Sequence, residues 1–271
     1  MPAAESIRLG YSPCPNDTFI FYGIAAAGLR IPGIRIEVEL HDVETLNRMA
    51  MTARLDVSKL SFHAWLLVRE RYRLLNGGAA LGHGCGPILV AQRPLTRVEV
   101  AATRIVLPGE WTTAHLLFRL WAPQAANRYF VTYDRILPEV AAGKADCGVI
   151  IHENRFTYAA AGFQAVVDLG AWWEAETGLP IPLGCMAART ELGDGRAREV
   201  EALIRRSIHL SRQNPDAALP YIRRYAREMS AEVLRRHIDT FVNPYSLDLG
   251  ETGKRAVAEL ERRARAAGII P

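Results

Sequence analysis

A two-lobed α/β fold is predicted by three features of this 271-residue sequence. Short apolar, β-branched runs alternate with helix-patterned segments, two similar strand-like segments bracket the middle of the chain, and the C-terminal part is helical. Strands separated by helices need crossover connections, which give a largely parallel sheet with helices on both faces.

Taken in order, the first cycle predicts strands over residues 7–11, 34–40, 55–60 and 87–91, with helices between them at 18–27, 43–52 and 62–72. A second cycle opens with the strand Arg104-Ile105-Val106-Leu107. It continues through a helix at 113–121, a strand at 129–133, a helix at 136–142 and a strand at 145–151. Gly143 sits where a helix ends in a left-handed residue. The segment 182–188 then echoes 86–91, and these two read as the paired crossings between lobes. Lobe one is therefore expected at 1–95 and 187–271, and lobe two at 96–186. Helix starts in the tail are expected after Asn214-Pro215-Asp216, Ser230 and Asp248.

Composition narrows the function classes. A hydrophobic fraction of 49% with 23% charged residues belongs to a packed globular chain. The net charge is only +4, and the arginines gather in the C-terminal third, as at Arg205, Arg206, Arg235 and Arg236, with the spacing of solvated helix faces. No aromatic-basic interleaving accompanies them, so no nucleic-acid partner is expected. Cys14, Cys85, Cys147 and Cys185 are far apart, with no metal-ligand spacing, and read as free thiols of a reducing compartment. Neither an export signal nor a run of transmembrane length is evident, so a cytoplasmic protein without a membrane partner is expected.

Three segments and one histidine carry candidate chemistry. The run 11–19, Tyr-Ser-Pro-Cys-Pro-Asn-Asp-Thr-Phe, follows the first strand and opens a helix, with Asn16 or Asp17 as its N-cap. Such a junction aims backbone N–H groups and the positive helix end at the crevice beyond the strand, where anions bind; a proline-stiffened capped turn is the plainer reading. Lys59-Leu60-Ser61 closes a strand and begins a helix, so Ser61 is either an ordinary N-cap or a ligand contact. Residues 108–114 repeat this arrangement in the second cycle, where Thr113 and Ala114 start a helix. His152 follows the apolar run 147–151 and is placed at the carboxyl end of a buried strand, where an imidazole can take a proton near neutral pH.

Residues 82–86, Gly-His-Gly-Cys-Gly, precede a strand and open no helix. That is the wrong context for a dinucleotide fingerprint, and they read as a flexible connector. Glu153 beside His152 does not make a zinc-protease motif, because no second histidine follows on a helical face. Trp172 and Trp173 read as packing residues. With no phosphate loop and no Cys/His cluster, no metal, nucleotide or flavin cofactor is expected.

The run at 11–19 closely resembles the N-terminal signature of the 1,4-dihydroxy-6-naphthoate synthase family of the futalosine route to menaquinone. Similarity continues through 42–47 (Asp-Val-Glu-Thr-Leu-Asn), 59–61, 112–114, 133–138, 150–153, 156–158 and 168–173. The departures are the absence of a Leu-x-Gly-Lys-like lead at 98–103 and Phe62 where a tyrosine is common. The resemblance implies a type II periplasmic-binding-protein-like fold with a ligand cleft between its lobes. It also implies a cofactor-free carbon–carbon lyase acting on a small anionic substrate, with His152 as the catalytic base. Positions matching Lys59, Leu60, Ser61, Thr113 and Ala114 line the family's substrate site, and Asn16 and Asp17 join them from the helix-start argument. A solute-binding protein of the same fold and the sister enzyme chorismate dehydratase are the alternatives. Oligomeric state is not legible in the sequence.

Overall fold

The computed structural model describes residues 5–226 and 230–271. In chain order its first elements are β1 (Glu5–Tyr11), α1 (Pro15–Ala25), β2 (Ile34–Leu40), α2 (Val43–Met51), β3 (Val57–Ser61), α3 (Phe62–Val68), β4 (Tyr72–Leu74) and β5 (Ala80–Gly82). The middle of the chain forms β6 (Ile88–Ala91), α4 (Arg97–Ala101), β7 (Ile105–Leu107), α5 (Thr113–Trp121), β8 (Arg128–Phe130) and α6 (Ile136–Ala141). It then runs through β9 (Cys147–Ile150), α7 (Asn154–Thr157), β10 (Gln164–Asp168), α8 (Leu169–Thr177) and β11 (Ile181–Arg189). The remainder is helical: α9 (Gly193–Gln213), α10 (Pro215–Tyr225), α11 (Ala231–Phe241), α12 (Pro244–Leu247) and α13 (Gly250–Ala266).

Two compact units result, one built from the chain up to Ala80 with Gly184–Glu251, the other from Leu81–Leu183 with Thr252–Pro271. This division differs from the expected one at 95 and 187. Ile88–Ala91 does not cross between units, because it pairs antiparallel with both β9 and β10 inside the second sheet. The last helix also goes with the second unit: the Arg263 guanidinium lies 5.6 Å over the Trp173 ring.

In the first unit the strand order is β2-β1-β3-β11-β4. β1 is parallel to β2 and β3, but β11 runs antiparallel to both β3 and β4, so the sheet is mixed rather than largely parallel. Ile7, Leu9, Tyr11, Val57 and Met186 alternate onto one sheet face and pack with Phe19, Ile20, Ile204, Ile208 and Leu234 of the helices, forming the unit's main core. Leu46, Met49 and Leu55 form a smaller cluster around α2. Side-chain caps fix several helix starts: Asp42 accepts from the Glu44 and Thr45 amides, and Ser230 accepts from Val233. α1 begins earlier than predicted. Its N-cap is Cys14 with Pro15 at the first helical position, so neither Asn16 nor Asp17 is the cap, since proline's fixed φ and missing N–H suit that position.

In the second unit the order is β10-β6-β9-β7-β8. β7, β8 and β9 are mutually parallel, so their carboxyl ends lie along one edge. Residues 83–86, expected to be a flexible connector, are instead tied down. Glu174 accepts from the Gly84 amide at 2.7 Å and meets His83 Nδ1 at 3.1 Å, and Cys85 is buried. A Cβ at Gly86 would stand 2.3 Å from the Gly170 Cα, so only glycine lets the two backbones pass. Trp173 is buried and donates to the Pro180 carbonyl at 3.1 Å, as a packing residue does. Among the described residues no helix is long and apolar enough to cross a membrane.

Candidate functional site

Parallel pairing sets the location of the first unit's polar residues. Leu9 is level with Val57 and Gly10 with Ser58, so the chain leaving β1 at Tyr11 and the end of β3 at Lys59–Ser61 share one sheet edge. That edge, beyond the carboxyl ends of the strands, is where open α/β sheets hold ligands.

Asp17 organises this edge. Its Oδ2 accepts from the Ser12 hydroxyl at 2.7 Å and the Ser12 amide at 3.2 Å, and its Oδ1 accepts from Asn16 Nδ2 at 2.9 Å. Lys59 Nζ completes the set at 2.9 Å from Oδ1, in an ion pair whose side chains are 5% and 2% exposed. Four donors leave this carboxylate no role as a direct ligand contact. Lys59 gives a second hydrogen to the Gly78 carbonyl at 3.0 Å, and its third has no acceptor among the described residues. Gly78 is held at φ 84, and a Cβ there would meet Met186 Cγ at 2.5 Å, so the carbonyl that receives Lys59 depends on glycine.

Ser61 does not cap α3 with its side chain. Its amide donates to Asn47 Oδ1 at 2.9 Å, while Asn47 Nδ2 donates to the Ser61 Oγ at 3.1 Å. The Ser61 amide is therefore already engaged. The hydroxyl, receiving one hydrogen bond, has its own proton to give. Leu60 is fully buried and points to the opposite sheet face from Lys59 and Ser61, so its side chain packs.

In the second unit β7 leads into α5 and β9 into His152. Thr112 caps α5 by accepting from the His115 amide at 3.2 Å and donates its own proton to the Gly109 carbonyl at 2.9 Å. The Thr113 hydroxyl donates to the Leu183 carbonyl at 2.6 Å, so its proton is already engaged. The Ala114 amide lies in the first turn of α5, where no intrahelical acceptor exists.

His152 lies just past β9 in a left-handed conformation, φ 57, shared among described non-glycine residues only with Ala53. Histidine tolerates this region better than most residues, but holding it costs on the order of 1–3 kcal/mol, and strain of this kind gathers at functional sites. Its ring stands edge-on to Tyr133, with centroids 4.9 Å apart, just after β8. Glu153 follows with a buried Oε2 that has no hydrogen-bond partner among the described residues. The cysteines are all buried and free. Burial pushes the Cys85 thiol up to about 12 and the Cys147 thiol up to about 11, which keeps both as thiols rather than nucleophiles.

Residues 7–266 match the family model described as menaquinone biosynthesis. The chain belongs to the menaquinone-biosynthesis family of 1,4-dihydroxy-6-naphthoate synthases. It is 50% identical over 98% of its length to the 1,4-dihydroxy-6-naphthoate synthase of Thermus thermophilus, covering 96% of that protein. Identity to the synthase of the same name from Streptomyces coelicolor is 38% over 99% of the chain and 96% of the relative. A crystal structure of an Archaeoglobus fulgidus protein superposes with a TM-score of 0.93 at 34% identity, covering 99% of this chain and all of that one. The alkanesulfonate-binding protein SsuA of Xanthomonas axonopodis pv. citri follows at TM-score 0.74 and 15% identity, over 99% and 96% of the two chains, which shows a shared fold. This member of the family is thus an enzyme of menaquinone biosynthesis with a two-lobed, type II periplasmic-binding-protein-like fold.

Sequence reasoning named Asn16, Asp17, Lys59, Leu60, Ser61, Thr113, Ala114 and His152, and did not name Ser12, Asn47, Tyr133 or His237, whose Nε2 lies 2.9 Å from Asn16 Oδ1. Asn47 and Tyr133 lie inside family-like blocks. His237 had a fainter signal: it occupies the buried face of α11 with Leu234, Ile238 and Phe241, where an apolar residue is expected.

His115 gives a pH-dependent prediction. Burial pushes its pKa down to about 4, against a smaller upward effect of the Nδ1–H bond to the Glu110 carbonyl at 2.8 Å. Above pH 6.5 the ring is neutral folded and unfolded. As pH falls from 6.5 to 4 the unfolded chain takes up a proton that the folded one does not, so stability is lost across that window, by about 1–3 kcal/mol. Urea midpoints of the parent and His115→Gln should converge as pH falls; curves with equal pH slopes would remove His115 as the cause.

Proposed function

We propose that this enzyme is a carbon–carbon lyase that cleaves cyclic dehypoxanthine futalosine to 1,4-dihydroxy-6-naphthoate, releasing the sugar-derived fragment. The observation that carries the chemistry is His152, strained at the carboxyl end of β9 in a chain half identical to a named 1,4-dihydroxy-6-naphthoate synthase. His152 removes a proton from a substrate carbon or hydroxyl, the resulting electron pair drives the carbon–carbon cleavage, and aromatisation of the new ring supplies driving force. The Lys59 ammonium and the Ser61 hydroxyl each have a hydrogen to give, which suits an acceptor-only carboxylate. Asn16 joins them, and Asp17 holds Lys59 and Asn16 in place. The Ala114 amide, in the first turn of α5 beside Thr113, stabilises developing negative charge.

Purified protein should convert cyclic dehypoxanthine futalosine to the dihydroxynaphthoate and leave chorismate unchanged. Dehydration of chorismate, or tight binding of the futalosine derivative without turnover, would overturn the assignment.

A further inference from the structure

We propose that His237 is a positioning residue that turns the Asn16 side chain into a one-way hydrogen-bond donor toward the ligand. The inference rests on the reading above in one respect, that Asn16 meets substrate. Nothing in the pattern of the sequence links the two residues, which lie 221 positions apart.

The argument is one of donors and acceptors. An ionised carboxylate only accepts, so the Asn16 end facing Asp17 Oδ1 at 2.9 Å is the NH₂ group. The other end, Oδ1, then faces His237 Nε2 at 2.9 Å. A carbonyl oxygen carries no proton, so Nε2 supplies one, and His237 is held with Nε2 protonated. Flipping the amide would set C=O against the carboxylate and NH₂ against Nε2–H, two repulsive contacts in a site where every group is buried. One Asn16 hydrogen is spent on Asp17, and the second has no acceptor among the described residues. Lys59 ends on the same Asp17 oxygen and also has one hydrogen left. The pair recognises a group that only accepts, an ionised carboxylate or a carbonyl, and rejects a hydroxyl that must donate.

His237→Leu removes the donor and leaves the Asn16 amide held from one side only, by Asp17, whereas His237→Gln restores an N–H at the end of a side chain of similar length. His237→Leu should raise KM for cyclic dehypoxanthine futalosine on the order of tenfold with kcat little changed, as loss of one buried polar contact predicts. His237→Gln should recover most of that loss. Asn16→Ala should match His237→Leu, and the double variant should be no worse than Asn16→Ala alone. The ring's protonation is readable without substrate, in long-range 1H–15N correlation spectra of the unaltered protein, where Nε2 should carry hydrogen.

A bare Nε2 would overturn the proposal even if His237→Leu fails to fold. So would a folded His237→Leu variant of lowered stability with the parent's KM, or losses that multiply in the double variant. Should the unaltered protein fail to turn over the futalosine derivative, the substrate assignment falls, and the spectrum still decides the state of His237.

Discussion

His152→Asn is expected to lose on the order of 10² to 10⁴ in single-turnover rate while keeping its fold and most of its affinity for product, the range typical of removing a general base. Asparagine keeps polar bulk but cannot take a proton near neutral pH. It is also a residue that accepts the left-handed backbone found at this position, so the substitution does not add strain. The substitution also gives up the edge-on ring contact with Tyr133, a loss small beside the expected rate effect. A melting temperature, a product affinity and a single-turnover rate measured on the same preparation separate chemistry from folding. A soundly folded variant with a near-normal rate would leave Glu153, whose buried Oε2 has no hydrogen-bond partner among the described residues, as the next group to test.

Lys59→Met should show a large loss of stability at the first unit's sheet edge. It strips the cation from a carboxylate that is almost fully buried, and breaking a buried pair from one side costs about 3–5 kcal/mol. Adding Asp17→Asn removes the stranded charge, and replacing both partners of such a pair is often nearly neutral, so the double variant should regain much of the lost stability. Ligand affinity should stay low in both, because the ammonium hydrogen left over from Asp17 and Gly78 is gone in each. Urea midpoints and binding of 1,4-dihydroxy-6-naphthoate to the two variants provide the check. Recovery of affinity together with stability in the double variant would reduce Lys59 to a structural cation.

Much of the arrangement was legible from local signals. The alternation of β-branched runs with amphipathic segments placed β1, β2, β7, α2 and α5 to within about three residues, because period and length are properties of a short window. His152 was found for the same reason: a polar residue that ends a buried apolar run sits at a strand's carboxyl end in a crossover fold. The parallel character of the sheet was overestimated, since nothing in residues 181–189 themselves states that they pair antiparallel with Lys59 and Ser61. The assignment of 88–91 to the second unit was missed on similar grounds, because it depends on pairing with β9 and β10, which lie more than fifty residues further along the chain.

Roles at the site divide along the same line. The sequence by itself determined the family, the strand-end position of His152 and the presence of Asn16, Asp17, Lys59, Ser61, Thr113 and Ala114 at junctions of strand and helix, all consequences of residue type and local order. Only the tertiary structure decided which of these groups still has a proton to give. Asp17 is saturated by Ser12, Asn16 and Lys59, the Ser61 amide is taken by Asn47, and the Thr113 hydroxyl is spent on Leu183. The physical reason is that hydrogen-bond capacity is a balance over all neighbours in space. Partners such as Asn47, fourteen residues from Ser61, and His237, 221 residues from Asn16, enter that balance only once the chain has folded.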